Sequence, residues 1–412
     1  MPRRLGAVAV LFACATPGGA QQADTSSRRV VAAFAYTLDA INNAAGGVRR
    51  GTVVVGGADA QFTLHLARIV RWRGATAFVD ADAVHGGAPS DIVGDLQGVS
   101  SLQSPPMVRV LEAWLQQNIS SNRLSVLVGR YDINTEFYRS QSGELFLNSS
   151  LGLGPELALS GVAGPSTYPN TSVGGRIDVK PAPNAVWRAA VLDGVPVNRP
   201  DGGVHLFARG DGALLVSEIA LLARPDSAGL PRRRRFLIGR GRRRPYSGKI
   251  AIGGWYYTAP FPDLADTLAS GAPEVHRGTG GAYLIADQTV WSEEKTPTRA
   301  LTVFSQLGVA DGRVNPVARY VGAGASLLAP FTNRAQDELG VAIAAAHIGS
   351  QLAQSRQPLG SWGGETTLEL TYIAQFPSGF ALQPDVQYVL HPSAVRAIRN
   401  ALVLGLRAEF SR

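Results

Sequence analysis

The stretch ETTLELTYIAQF, residues 365–376, repeats with period two. Leu368, Leu370, Tyr372, Ala374 and Phe376 share one face, while Thr367, Glu369, Thr371 and Gln375 share the other, with Ile373 as the exception. Side chains alternate across a strand with period two and wind around a helix with period 3.6, so this pattern selects a strand. The pattern recurs in FALQPDVQYVL (380–390), where Leu382, Pro384, Val386, Tyr388 and Leu390 oppose Gln383, Asp385 and Gln387. In SVGGRIDVK (172–180), Val173, Gly175, Ile177 and Val179 oppose Arg176, Asp178 and Lys180. The chain ends on the same theme, ALVLGLRAEFSR, with Leu402, Leu404, Leu406, Ala408 and Phe410 against Arg407 and Glu409. Segments of about ten residues with one apolar and one charged face suit strands that cross a bilayer at a tilt.

Such segments run the length of the chain. In the first half they fall near 31–42, 52–68, 74–84, 106–118, 123–133, 172–181, 184–194 and 213–223. In the second half they fall near 248–259, 279–291, 299–310, 317–329, 337–349, 365–376, 379–390 and 400–410. About sixteen strands is an even number, as an antiparallel barrel needs for both termini to lie on one side. Segment 106–118 also suits a helix, because Leu111 and Leu115 are four apart. The expected fold is therefore all-β: a transmembrane antiparallel barrel with short periplasmic turns and long extracellular loops, some folded into the lumen. A soluble sandwich or propeller is the rival, since its strands alternate too.

The connections test this. Ser120–Ser121, Pro181–Pro183 and Pro377–Ser378 are brief and turn-like, as one rim of a barrel requires. The other rim takes the long connections 85–105, 134–171, 195–212 and 260–278. The 224–247 connection breaks the rule, carrying PRRRRFLIGRGRRRP on the short side.

Composition agrees. Charged residues are 17% of 412, below the roughly 25% of soluble domains. Beyond the N-terminus no run of about 18 apolar residues offers a spanning helix. The first twenty residues, MPRRLGAVAVLFACATPGGA, read as a secretory signal: Arg3 and Arg4, an apolar run from Leu5 to Ala15, and a small-residue site ending at Ala20. Cys14 allows a rival reading as a lipid-modified cysteine. Cleavage after Ala20 leaves residues 21–412 as one barrel domain with no cysteine. Removing Arg3 and Arg4 takes the formal charge from +8 to +6.

Several stretches resemble the carbohydrate-selective porin family, OprB. They are LSVLVGRYDINTEF (124–137), KIAIGGWYYTAPFPD (249–263), GAYLIADQTVW (281–291), LTVFSQLGVADGRVN (301–315) and RAQDELGVAIA (334–344). ELTYIAQFPSGFALQPDVQYVLHP (369–392) and LGLRAEF (404–410) follow in the family's order. The resemblance, from about residue 30 to the end, implies a sixteen-stranded outer-membrane pore passing sugars or similar polar solutes by diffusion. Trimers are common for such pores, so a homotrimer is the expectation by analogy. Phe410 near the terminus resembles the signature by which barrel-assembly machinery recognises its clients. Outer-membrane lipid is the other implied partner.

A sugar crossing a narrow pore must exchange water for wall hydrogen bonds, so the wall needs donors and acceptors of both charges. Polar faces and long loops supply candidates. Arg130, Asp132 and Glu136 lie where strand 5 enters loop 134–171, and Arg176 and Asp178 lie on the next strand. Glu112, Arg188, Asp287, Asp385 and Arg407 face inward by parity, and Asp91 and Asp95 lie in loop 85–105. Within 134–171, Leu145, Phe146, Leu151 and Leu153 would pack the loop on the inner wall. The bland role for each charge is to solvate a wide lumen or pair with a neighbour.

Two other functions are carried forward. One is a general porin, or an anion-preferring one given the basic excess. The other is an outer-membrane barrel enzyme, but GxSxG, HExxH and cysteine metal motifs are absent from the sequence. No metal or cofactor is implied. Arg232–Arg235, Arg240 and Arg242–Arg244 suggest nucleic acid by composition, which export to the envelope argues against.

Overall fold

The computed structural model describes residues 28–196, 207–208, 210–224, 246–293, 299–356, 360–377 and 379–412. The leader 1–20 and the arginine run 231–245 lie outside the described residues. The first strands are β1 (Val30–Gly47), β2 (Gly51–His65), β3 (Ala75–Gly86), β4 (Met107–Ile119) and β5 (Leu124–Tyr131). They are followed by β6 (Ser172–Ala182), β7 (Ala185–Asp193), β8 (Ala213–Ala223), β9 (Gly248–Thr267) and β10 (Pro273–Ser292). The last six are β11 (Ala300–Ala310), β12 (Val317–Leu328), β13 (Glu338–Ile348), β14 (Gly364–Phe376), β15 (Phe380–Leu390) and β16 (Arg399–Ser411). Each pairs with its sequence neighbours, and β1 pairs with β16, closing one sixteen-stranded antiparallel barrel. No described helix is long and apolar enough to cross a membrane.

Closure is carried by the terminal dozen residues. Phe410 lies opposite Tyr36, Arg407 opposite Asp39 and Leu404 opposite Asn42. Phe34 and Arg412 exchange backbone hydrogen bonds of 3.0 and 2.9 Å. In hydrocarbon every unpaired backbone group costs several kcal/mol by order of magnitude, so an open edge between β1 and β15 could not persist there.

Alternation sorts the two faces as the sequence indicates. Leu368 and Leu370 of β14 and Leu402, Leu404, Leu406 and Phe410 of β16 are exposed on the outside. Glu365, Thr367, Glu369 and Thr371 of β14 are buried on the inside. β4 is a strand, not a helix, and its register against β3 shifts by one residue between Glu112 and Val110. That bulge turns both Leu111 and Glu112 toward the interior, where both are buried.

β9 and β10 depart from expectation. Each has 20 residues, so most of 260–278 is strand and the connection shrinks to 268–272. The ladder between β8 and β9 stops at Leu214 opposite Tyr257. Pro260 and Pro262 follow that point, where a missing N–H loses no bond of the described β8–β9 ladder.

The interior is filled by two inward loops, 87–106 and 132–171. Ile92, Val93 and Val99 of the first pack with Ile41, Val389 and Val403 of the wall. Leu145, Phe146 and Leu151 of the second pack with Phe304, Tyr320, Ile373 and Ala381. Ile373, the odd apolar residue on the polar face of β14, is thus where the loop rests. Phe137, Tyr138, Leu153 and Leu157 seat against Leu214, Trp255, Tyr257 and Tyr283. Each fully buried Leu or Phe contributes roughly 1.5–3 kcal/mol, so the loop is held by a small core of its own. Glycines mark its closest approaches: a Cβ at Gly340 would come within 2.5 Å of Leu145, and one at Gly308 within 2.0 Å of Glu156.

Candidate functional site

The interior wall carries several of its charges in pairs, and the register explains most of those. Asp82 of β3 lies opposite Arg109 of β4, and the two form a bidentate pair at 2.7 and 2.9 Å. Asp178 of β6 faces Arg188 of β7 at 2.5 Å. Asp39 of β1 faces Arg407 of β16, with both guanidinium contacts at 2.7 Å. Lys249 of β9 approaches Glu218 of β8 at 3.3 Å. Parallel N–H to carboxylate bonds of this kind are about twice as strong as neutral ones and fix both planes.

A second group joins wall to loop. Arg176 of β6 grips Glu136 of loop 132–171 at 2.8 and 2.9 Å, and Tyr131 Oη donates to the same carboxylate. Arg188 also donates to the Glu136 carbonyl at 3.1 Å. Glu112 accepts from the Asp132 backbone N–H. Asp132 caps the turn that follows, accepting from Asn134 N at 2.8 Å, and receives the Tyr168 N–H as well. Asp287 of β10 accepts from the backbone and hydroxyl of Ser142 and from the Ser140 hydroxyl. Gln306, Gln383 and Gln387 donate to the carbonyls of Leu151, Leu145 and Val99. Tyr320 donates to Ser150 O.

Among the sequence candidates, Glu112, Asp132, Glu136, Arg176, Asp178 and Arg188 therefore come together where β4–β7 meet loop 132–171. Asp287 is a loop anchor on the far side. Asp385 accepts from Gln387 Nε2 at 2.9 Å, and Arg407 belongs to the closing seam. Arg130 departs from the group. It lies opposite Ala113, on the side of β5 away from Trp114 and Tyr131, and its Nε donates to Thr171 Oγ1 at the strand end. Asp91 is exposed in a short helix, Ser90–Val93, while Asp95 turns inward, where burial raises its carboxyl above the usual range.

Sequence reasoning passed over Asp39, Asp82, Arg109, Glu218 and Lys249. Parity does place Glu218 on the inner face of ALLVSEIALLA, but a partner becomes visible only with the register. Aromatic groups gather on the same arc as the paired charges. Phe78 and Trp114 stack with ring centroids 4.9 Å apart, and the Arg109 guanidinium lies over the Tyr168 ring at 5.0 Å. The loop itself carries a carboxyl of another kind. Glu156 is fully buried, accepts a 2.8 Å bond from Tyr138 Oη, and is pushed up to about 7 by burial.

Comparison with known proteins agrees with this architecture. The family model of the carbohydrate-selective porin, OprB family, matches residues 51–411. Porin B of Pseudomonas aeruginosa is 24% identical over 384 residues, covering 84% of this chain and 79% of that protein. A high-pH structure of Pseudomonas putida OprB superposes with a TM-score of 0.81 at 20% identity, covering 94% of this chain and 96% of the other. The outer-membrane channel DcaP of Acinetobacter baumannii aligns with a TM-score of 0.53 at 12% identity, covering 93% and 97%. With a match across most of its length and a closed sixteen-stranded wall, this chain belongs to the OprB family of carbohydrate-selective porins, outer-membrane barrels through which sugars and similar small polar solutes diffuse.

Proposed function

We propose that solutes cross this porin through a mixed-charge constriction built where loop 132–171 meets β4–β7. The observation that carries the reading is the linked set Arg176–Glu136 and Arg188–Asp178, with Arg188 also holding the Glu136 carbonyl. Donors and acceptors alternate there within one small region, so a hydroxyl can exchange water for either kind of partner. Pairing also cancels the single-sign field that would favour ions over neutral solutes. Phe78 and Trp114 supply a flat apolar surface on the same arc, suited to the less polar face of a sugar ring. Binding remains weak because the charges satisfy one another first.

The chain acts as a channel and not as a catalyst in this reading. The mature protein begins after Ala20, assembles through the barrel-assembly machinery, and forms a homotrimer by analogy with other sixteen-stranded porins. Mass spectrometry of the exported protein checks its first residue, and its size in mild detergent checks the trimer.

Planar-bilayer recording with purified protein tests the solute path. Glucose and a disaccharide should reduce the ion current reversibly, and an amino acid should do so less. A large current indifferent to every sugar would favour a general porin. A strong anion-over-cation preference would favour the anion pore.

A further inference from the structure

We infer that Glu365 and Glu369 are the positioning residues of the pore, a pair of carboxylate clamps on one strand that each hold a different inward loop. They lie four residues apart on the lumen face of β14, about 13 Å along the strand. Glu369 accepts from two successive backbone amides of loop 132–171, Leu147 N at 2.6 Å and Asn148 N at 3.2 Å, one on each carboxylate oxygen. Glu365 does the same for loop 87–106, taking Leu96 N at 2.7 Å and Gln97 N at 3.0 Å. It also accepts from Ser393 N at 2.6 Å, in the connection between β15 and β16. Both side chains are buried.

The residue types fit the task. A side-chain carboxyl presents two oxygens in one plane and can meet two adjacent backbone N–H groups together. Where the wall must hold loop carbonyls it uses amide donors instead, Gln383 on Leu145 O and Gln387 on Val99 O. The wall therefore matches the loop backbone group by group. The two loops are also bonded to each other at this point, Ser101 N to Leu147 O and Ser149 N to Gly98 O, each at 2.8 Å. Together they form one plate, and β14 sets its height and depth in the lumen. Glu136, Asp132 and Tyr168 of the constriction belong to loop 132–171, so the plate's position decides the bore. Neither glutamate needs to touch the solute.

The test compares Glu369→Gln, Glu365→Gln and Thr367→Val in planar bilayers and in liposome swelling, with heat-modifiable migration confirming the barrel. A glutamine keeps the shape but turns an NH2 donor against one of the two amide donors. Losing one such bond should shift the seated-to-unseated ratio of the plate about tenfold. The expected result is frequent current flicker and faster passage of a trisaccharide relative to glucose in both glutamine variants, with Thr367→Val unchanged. The inference is overturned if the glutamine variants fold and match the parent in current, flicker and sugar ratio, or if Thr367→Val flickers equally. Should the glutamine variants fail to fold, hydrogen exchange on the parent protein decides. The amides of Leu96, Gln97, Leu147 and Asn148 should exchange far more slowly than those of the 120–123 turn, and equal rates would end the idea.

Discussion

The two faces of β14 answer to different demands. Outside, Leu368 and Leu370 meet hydrocarbon, where any apolar side chain of ordinary size serves. Inside, Glu365 and Glu369 meet named partners, four backbone amides of the two inward loops. The outer face is specified by its solvent and the inner face by geometry. The barrel is consequently tolerant where it is apolar and exacting where it is polar, the reverse of a soluble domain with a packed core.

The strongest way to break this contrast is to remove the seam both faces share. Deleting 401–412 exposes the edges of β1 and β15 and should abolish assembly. A heat-modifiable barrel recovered from outer membranes after that deletion would refute the role given to β16. Next in size is Arg176→Met, which leaves the buried Glu136 carboxylate of loop 132–171 without its guanidinium. Breaking a buried pair costs roughly 3–5 kcal/mol. Altered conductance and loosened protease protection of loop 132–171 are expected, with the barrel intact by heat-modifiability.

On the outer face, Leu370→Arg should destabilise the barrel by roughly 2–4 kcal/mol if it lies near the bilayer midplane, read by urea titration in vesicles. Leu370→Val there should be nearly silent. The smallest effect is a pH dependence. Glu156 is raised from 4.5 to about 7 in the seated loop, so the seated state binds its proton more tightly than the open one. Its contribution is complete below about 4.5, fades as pH rises, and is lost above about 7. That is worth up to about 3 kcal/mol of loop seating. Channel flicker should grow between pH 5 and pH 8, and Glu156→Gln should flatten the curve. A variant with the same pH slope as the parent would place the titration elsewhere.

Strand number and strand faces follow from alternation, while Ile373, its exception, finds a reason only where the inward loop packs on it. Period-two patterning is local and needs no knowledge of a partner. The turns at Ser120–Ser121 and Pro181–Pro183 are legible for the same reason, and the structure places the connections at 120–123 and 183–184. The sequence places the hairpin of β9 and β10 too short, because Pro260 and Pro262 resemble loop signals unless the end of the β8 ladder at Tyr257 is known. Arg130 was placed by its neighbourhood in sequence, whereas the pairing with Ala113 puts it on the other side of the strand.

What the sequence by itself determined is therefore the wall: which residues face lipid, which face inward, and that the last strand must meet the first. Tertiary structure alone decided who holds whom inside it. Asp39 and Arg407 stand 368 residues apart, and Glu369 lies 222 residues beyond Leu147. Such contacts depend on closure, register and the path of two loops, all of them long-range. A face can be written in a strand's own ten residues, but a hydrogen-bond partner is chosen only when the barrel brings distant strands into one lumen.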